Sequence, residues 1–188
     1  MPTPIGHLLA GAAVYAAQRN RKNIHLLLFV LFFALLPDID FIFGFVVNDP
    51  NRYHHLFTHS FFFVVLAGIT GAIIYSKWRH ANIFISSAIF VSAGISHVIL
   101  DCLALDRREP FGCPIWWPVS QEFFISPLLI FSDVSRSSES GTFFQSLFNV
   151  HNIRTVSIEI LVLLPVFVFV WLLNVKRRSK NKTVVTQK

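Results

Sequence analysis

The chain has 188 residues, about the length of one domain, with 54% hydrophobic residues, 21 Phe and a net charge of +6. So apolar a composition points away from a soluble or disordered protein and towards an integral membrane protein. The positive charge does not make a nucleic-acid surface: 11 of the 16 basic residues fall into three groups at the ends of apolar runs. These are Arg19, Arg21 and Lys22; Lys77 and Arg79; and Lys176, Arg177, Arg178, Lys180, Lys182 and Lys188. The positive-inside rule puts all three on the cytoplasmic side.

In chain order, the first apolar stretch, Ile5–Gln18, is short and rich in small residues, and suits a short N-terminal helix. No basic segment precedes it, so it is expected to stay in the mature protein. Ile24–Val47 is long enough to cross a bilayer outwards, and the turn formers Asn48, Asp49, Pro50 and Asn51 follow it. Phe61–Ser76 returns to the "KWRH" loop, and Ile83–Leu105 crosses outwards again. Residues 106–154 form an outer loop with aromatic stretches, "PIWWP" and "FFISPLLIF", suited to the headgroup layer. Thr155–Val175 re-enters the membrane. The expected architecture is all-α: a polytopic bundle of about four spanning helices plus the short N-terminal one. One domain, 1–175, precedes a basic cytoplasmic tail, 176–188. The two cysteines, Cys102 and Cys113, are too few for a disulfide framework and are expected as unpaired thiols.

Ionisable residues stand within or beside these apolar runs: His7, Asp38, Asp40, His59, His97, Asp101 and Glu159. Facing lipid, each would cost several kcal/mol, which makes them functional candidates. Their depths can be counted. At 1.5 Å per helical residue, His7 lies about 18 Å from Arg19 and Asp38 about 24 Å from Lys22. His59 lies about 27 Å from Lys77, and His97 and Glu159 each about 26 Å from His80 and Lys176. Five separate stretches therefore bring acids or imidazoles to one level, the outer rim of a core roughly 30 Å thick.

The local chemistry suits metal. In "HVILD", His97 and Asp101 share a helical face. In "LLPDID", Pro37 interrupts the helix just before Asp38 and Asp40. "HHLFTHS" adds His54 and His59, with Thr58 available to cap the helix or hold a water. Mixed His and carboxylate ligands suit Zn²⁺, Mn²⁺ or Fe. Eight such groups are too many for one tetrahedral site and suit two divalent ions. His25 and His80 are expected at the cytoplasmic interface, His151 in the outer loop, and His55 as a donor beside the site.

Taken in order, "PTPIGHLLAG", "LLPDIDFI", "HHLFTHS", "SHVILD" and "PIWWPVS" resemble the YdjM-like family of membrane-bound, predicted metal-dependent hydrolases, also described as LexA-regulated inner-membrane hydrolases. The resemblance implies His7, Asp38, Asp40, His54, His59, His97 and Asp101 as metal ligands. His55 stands where that family often has Arg, so a cationic phosphate contact would have to come from elsewhere, with Arg52, Arg107 and Arg108 as candidates. The expected function is hydrolysis of a phosphoester in a membrane lipid or lipid-linked substrate, with Asp38 or Asp40 as catalytic base and no nucleic-acid partner. A metal-ion transporter or a metal-binding structural protein would use the same ligand types.

Overall fold

The computed structural model describes the backbone of residues 1–18 and 23–185 and the side chains up to Arg177. Arg19, Arg21 and Lys22, the side chains of Arg178, Lys180 and Lys182, and Lys188 lie outside the described residues. The described residues are helical, as expected, with only isolated bridges in place of a sheet. Four helices are long and apolar enough to cross a membrane: Ile24–Val46, Phe61–Arg79, Ile83–Cys102 and Val150–Arg177. The short helix α1, Pro4–Ala16, makes the fifth apolar element.

Three of the spanning helices start where the sequence supplies an acceptor for free backbone N–H groups. Asn23 caps α2 (Ile24–Leu35) by accepting from Leu26 N. Pro37 does not end this span. It tightens residues Leu36–Ile39 into a 3₁₀ turn, and the chain continues as α3, Asp40–Val46. Ser60, not Thr58, caps α4 (Phe61–Arg79) by accepting from Phe63 N. Asn82 caps α5 (Ile83–Cys102). A short α6, Phe143–Ser146, lies in the loop, and α7, Val150–Val185, starts five residues ahead of the expected Thr155.

The helices alternate in direction, so the start of α1, the end of α2, the start of α4, the end of α5 and the start of α7 share one end of the bundle. α4 and α5 pack closely through glycine: a Cβ on Gly94 would lie 2.6 Å from Val64 Cγ1. Such contacts matter in lipid, where apolar burial alone favours no helix pair and close van der Waals packing must do so. The opposite half of the bundle is a dry core of Val30, Phe33, Ala34, Ala72, Phe90 and Ala93, with the Phe33 and Phe90 rings stacked at 4.9 Å. Phe84, Val46 and Leu161 point outwards and are more than 70% exposed, as lipid-facing side chains would be.

The loop between α5 and α7 folds back over the end of the bundle. Phe61 N donates to Ile115 O and Ser126 N to Cys102 O, which ties it to the helix ends. Asn152, buried at the start of α7, pins it again by accepting from Ser135 N and donating to Ser135 O. Cys102 and Cys113 are both buried and free.

Candidate metal centre

Beneath this loop, side chains from α1, the Pro37 turn, α3, the α3–α4 connection and α5 meet. His7, His59, His97 and Asp101 are buried to within 1% of complete, as is Asp40, while Asp38 is partly exposed. His97 Nε2 lies 3.0 Å from Asp101 Oδ2 and 3.6 Å from Asp38 Oδ1. His59 Nε2 lies 3.4 Å from Asp101 Oδ2 and 3.6 Å from Asp38 Oδ1. His7 stacks on His97 at 3.7 Å between ring centroids, and its Nε2 is 3.6 Å from Asp101 Oδ1.

The ring tautomers follow from their outer partners. A backbone carbonyl can only accept, so His97 Nδ1 carries a proton and donates to Ala34 O at 2.7 Å. His59 Nδ1 also carries a proton: it lies 3.1 Å from Thr58 Oγ1, whose own hydrogen goes to Asp40, and 3.2 Å from Asp40 Oδ2. Both rings thus turn Nε2 inward, where the two nitrogens face each other at 3.3 Å. Two ring nitrogens so placed, beside two carboxylates, call for positive charge between them, which a ring proton or a bound cation supplies. Asp38 Oδ1, both carboxylate oxygens of Asp101 and both ring nitrogens of His7 are buried with no hydrogen-bond partner. Among the described residues, no Lys or Arg pairs with Asp38, Asp40 or Asp101. The donor set therefore fits a divalent metal: His7, Asp38 and His97 form one group able to hold an ion, and His59, His97 and Asp101 another.

Asp40 is placed differently from Asp38. Its Oδ1 accepts from His54 Nδ1 at 3.0 Å, and its Oδ2 accepts from Thr58 Oγ1 at 2.9 Å and from His55 N at 3.2 Å, in addition to His59. It orients two histidines and a tight turn in which His55 has a left-handed φ of 62°. His54, stacked on Phe41 at 4.1 Å, belongs to further groups with Asp38 and Asp40 and with His55 and His59. Its Nε2 contacts Met1 Sδ.

Glu159 is not brought into any of these groups. Thr3 supplies no side-chain cap to α1, and the buried Glu159 carboxylate caps it across the bundle. It accepts from Thr3 N at 2.7 Å, Gly6 N at 3.1 Å and Thr3 Oγ1. His25 packs edge-on to Trp78 in the other half of the bundle and His80 is exposed at the end of α4. His151 is exposed and donates to Asp133 O.

Sequence reasoning did not find the His55–Asp106 pair. His55 Nδ1 meets Asp106 Oδ2 at 3.1 Å, which points the His55 ring towards the cluster. Burial opposes ionisation of Asp106, but the His55 contact and the Gly112 and Arg108 N–H groups hold it well below the usual carboxylate range. Burial and neighbouring positive groups keep His54 and His55 below the usual imidazole range. For His59, burial acts in the same direction but Asp40, Asp38 and Asp101 outweigh it, raising the ring to about 9.

Above the cluster the loop encloses a cavity of about 480 Å³, whose lining includes His54, His55, Asp106, Arg108, Arg136 and His151. Among solved structures and curated proteins, none matches the chain. The sequence motifs, the apolar spans and this His/Asp cluster agree with the family comparison, which matches residues 1–178: the chain belongs to the YdjM inner membrane protein family and is a multi-pass membrane protein of that family.

Proposed function

We propose that the protein is a metal-dependent hydrolase of phosphoesters in membrane lipids or lipid-linked molecules, with its site on the outer side of the inner membrane. One observation carries the reading: five buried ligand-type atoms of Asp38, Asp101 and His7 have no hydrogen-bond partner and surround the facing Nε2 atoms of His59 and His97. His7, Asp38, His59, His97 and Asp101 would hold one or two divalent ions, with Zn²⁺ the best match to His and carboxylate donors. When bound, such an ion supplies Lewis-acid stabilisation of phosphoryl oxygens and a more acidic water.

Asp38 is the proposed general base through its other oxygen: Oδ1 faces the ligand group, and Asp38 is the most accessible carboxylate of the cluster. It would take a proton from water as the water oxygen bonds to phosphorus. The ester P–O bond then breaks and the leaving oxygen takes up the proton that Asp38 accepted. Asp40, with four donors, would act by holding His54 and His59 in place. The outer location is supported by Lys77 and Arg79, which end α4 at the opposite end of the bundle. A transport path would have to pass through that half, where Phe33, Phe90 and Tyr75 pack tightly, and this favours hydrolysis.

The test is hydrolysis of phospholipid and lipid-phosphate substrates by detergent-purified protein, before and after chelation. Turnover lost on chelation and restored by metal is expected. Metal uptake into proteoliposomes without any turnover would replace this reading with transport.

A further inference from the structure

The cavity above the cluster is lined by three arginines and three acids, which are not matched alike. Asp106 accepts from His55, Arg108 N and Gly112 N, Asp133 lies 3.5 Å from Arg107 and 3.4 Å from His151, and Glu109 is exposed to solvent. Arg136 is not matched. Its Nε donates to Asn51 Oδ1, and its guanidinium lies over the Phe41 ring at 5.1 Å. Among the described residues, no hydrogen bond or ion pair engages its two terminal nitrogens.

The side chain is also held in place. Asn51 Nδ2 donates to Ser137 O, and Arg108 donates to Arg136 O at 2.7 Å, so the backbone on both sides is fixed. Phe41, beneath the guanidinium, stacks on His54 on its way to the cluster. Burial and then Arg108 lower Arg136 to about 10, which still leaves it charged at neutral pH. A fixed, planar, charged fork with two unused donors matches the oxygens of a phosphate. A cavity of about 480 Å³ has room for a phosphate and a small polar head group.

We infer that this cavity is a phosphate subsite in which Arg136 receives the oxyanion through its two terminal nitrogens and presents it to the neighbouring cluster. The presentation step rests on the hydrolase reading; the binding of phosphate does not. Arg136 thereby takes the place of the cation that His55 leaves out, and Arg107 and Arg108 do not: Arg107 is paired with Asp133, and Arg108 donates to Ser138 Oγ and Arg136 O.

The test is calorimetric binding of inorganic phosphate to the full chain in detergent, after chelation so that no metal contributes. Saturable binding is expected, weakened roughly tenfold or more in Arg136→Gln. In Arg136→Lys, which keeps the charge and loses the fork, a smaller loss is expected. Arg107→Gln should stay within about twofold of the parent, as an exposed pair contributes little. Equal affinity in the parent, Arg136→Lys and Arg136→Gln would overturn the inference, as would an equal loss in Arg107→Gln. Should Arg136→Gln not fold, the contrast between Arg136→Lys and Arg107→Gln decides. Nanodiscs with phosphatidic acid, compared with phosphatidylcholine alone, identify the source: competition with inorganic phosphate assigns the subsite to a lipid head group, and its absence to a soluble phosphate.

If only the hydrolase reading fails, Arg136-dependent phosphate binding persists without turnover. If only this inference fails, chelator-sensitive turnover persists with KM unchanged in Arg136→Gln.

Discussion

Replacing Asp40 with Asn tests the support of the cluster with almost no change in shape. The carboxylate accepts from His54 Nδ1 on one oxygen and from His55 N, Thr58 Oγ1 and His59 Nδ1 on the other. An amide keeps one oxygen. Turned towards the three donors at Oδ2, it leaves its NH₂ opposite the His54 N–H. Exchanging a charged for a neutral acceptor removes about 1 kcal/mol at each of the three, and an orphaned buried N–H costs about 1–3 kcal/mol. These contacts share one group and do not add, so we take roughly 3 kcal/mol as the combined loss. Because His59 is held in orientation by Asp40, metal affinity should fall about 10–100-fold, the usual effect of losing a partner that orients a ligating histidine. The assay is metal content of purified protein across a series of chelator concentrations, with thermal unfolding on the same samples. Asp40→Asn releasing metal at the same chelator concentration as the parent would refute the buttress role.

Asp38→Asn, by contrast, should abolish turnover while substantial metal remains bound, because the amide still offers an oxygen but cannot take a proton; parallel loss of metal and activity would remove Asp38 as base. Glu159→Gln should lower thermal stability by about 1–2 kcal/mol through the weakened α1 cap, yet leave metal stoichiometry unchanged; metal loss on the scale of His97→Ala would make Glu159 a ligand after all. Binding of metal should release a proton. His59 stands at about 9 against 6.5 unperturbed, so its proton stabilises the stripped protein fully below pH 6.5, an effect lost as pH rises through about 9. Metal affinity runs the other way and should rise by up to about tenfold per pH unit across that window, as measured by competition titration. Reporter fusions should place Ser137 outside and the "KWRH" loop inside; Ser137 in the cytoplasm would invert the proposed topology.

The helices were legible because apolar runs of spanning length leave few alternatives. The convergence of His7, Asp38, His59 and His97 was legible because a fixed rise per residue turns sequence separation into depth. Depth does not report helix face, which is why depth alone groups Glu159 with the others: it shares their level but turns towards the N-terminus of α1, where Thr3 leaves backbone N–H groups uncapped. The sequence hides that gap, since Thr3 ahead of Pro4 reads as an N-cap, and its hydroxyl turns to Glu159 instead. A proline in an apolar run reads as a break, whereas Pro37 makes a 3₁₀ turn within a continuing span. The His55–Asp106 pair joins residues 51 apart through a turn with left-handed φ, which no periodicity reveals. Arg136 lies in a Ser-rich stretch that reads as loose loop, and only the contacts of Asn51, Arg108 and Phe41 fix it above the cluster.

Metal analysis of the purified chain addresses the cluster most directly. The parent and His25→Ala should carry one or two equivalents of a divalent transition metal, because His25 lies against Trp78 away from the cluster. His59→Ala and Asp101→Ala should lose most of it, since each removes an inward-facing ligand. Equal metal content in all four proteins, or none in the parent after purification with metal supplied, would contradict a metal centre and leave these residues a structural role.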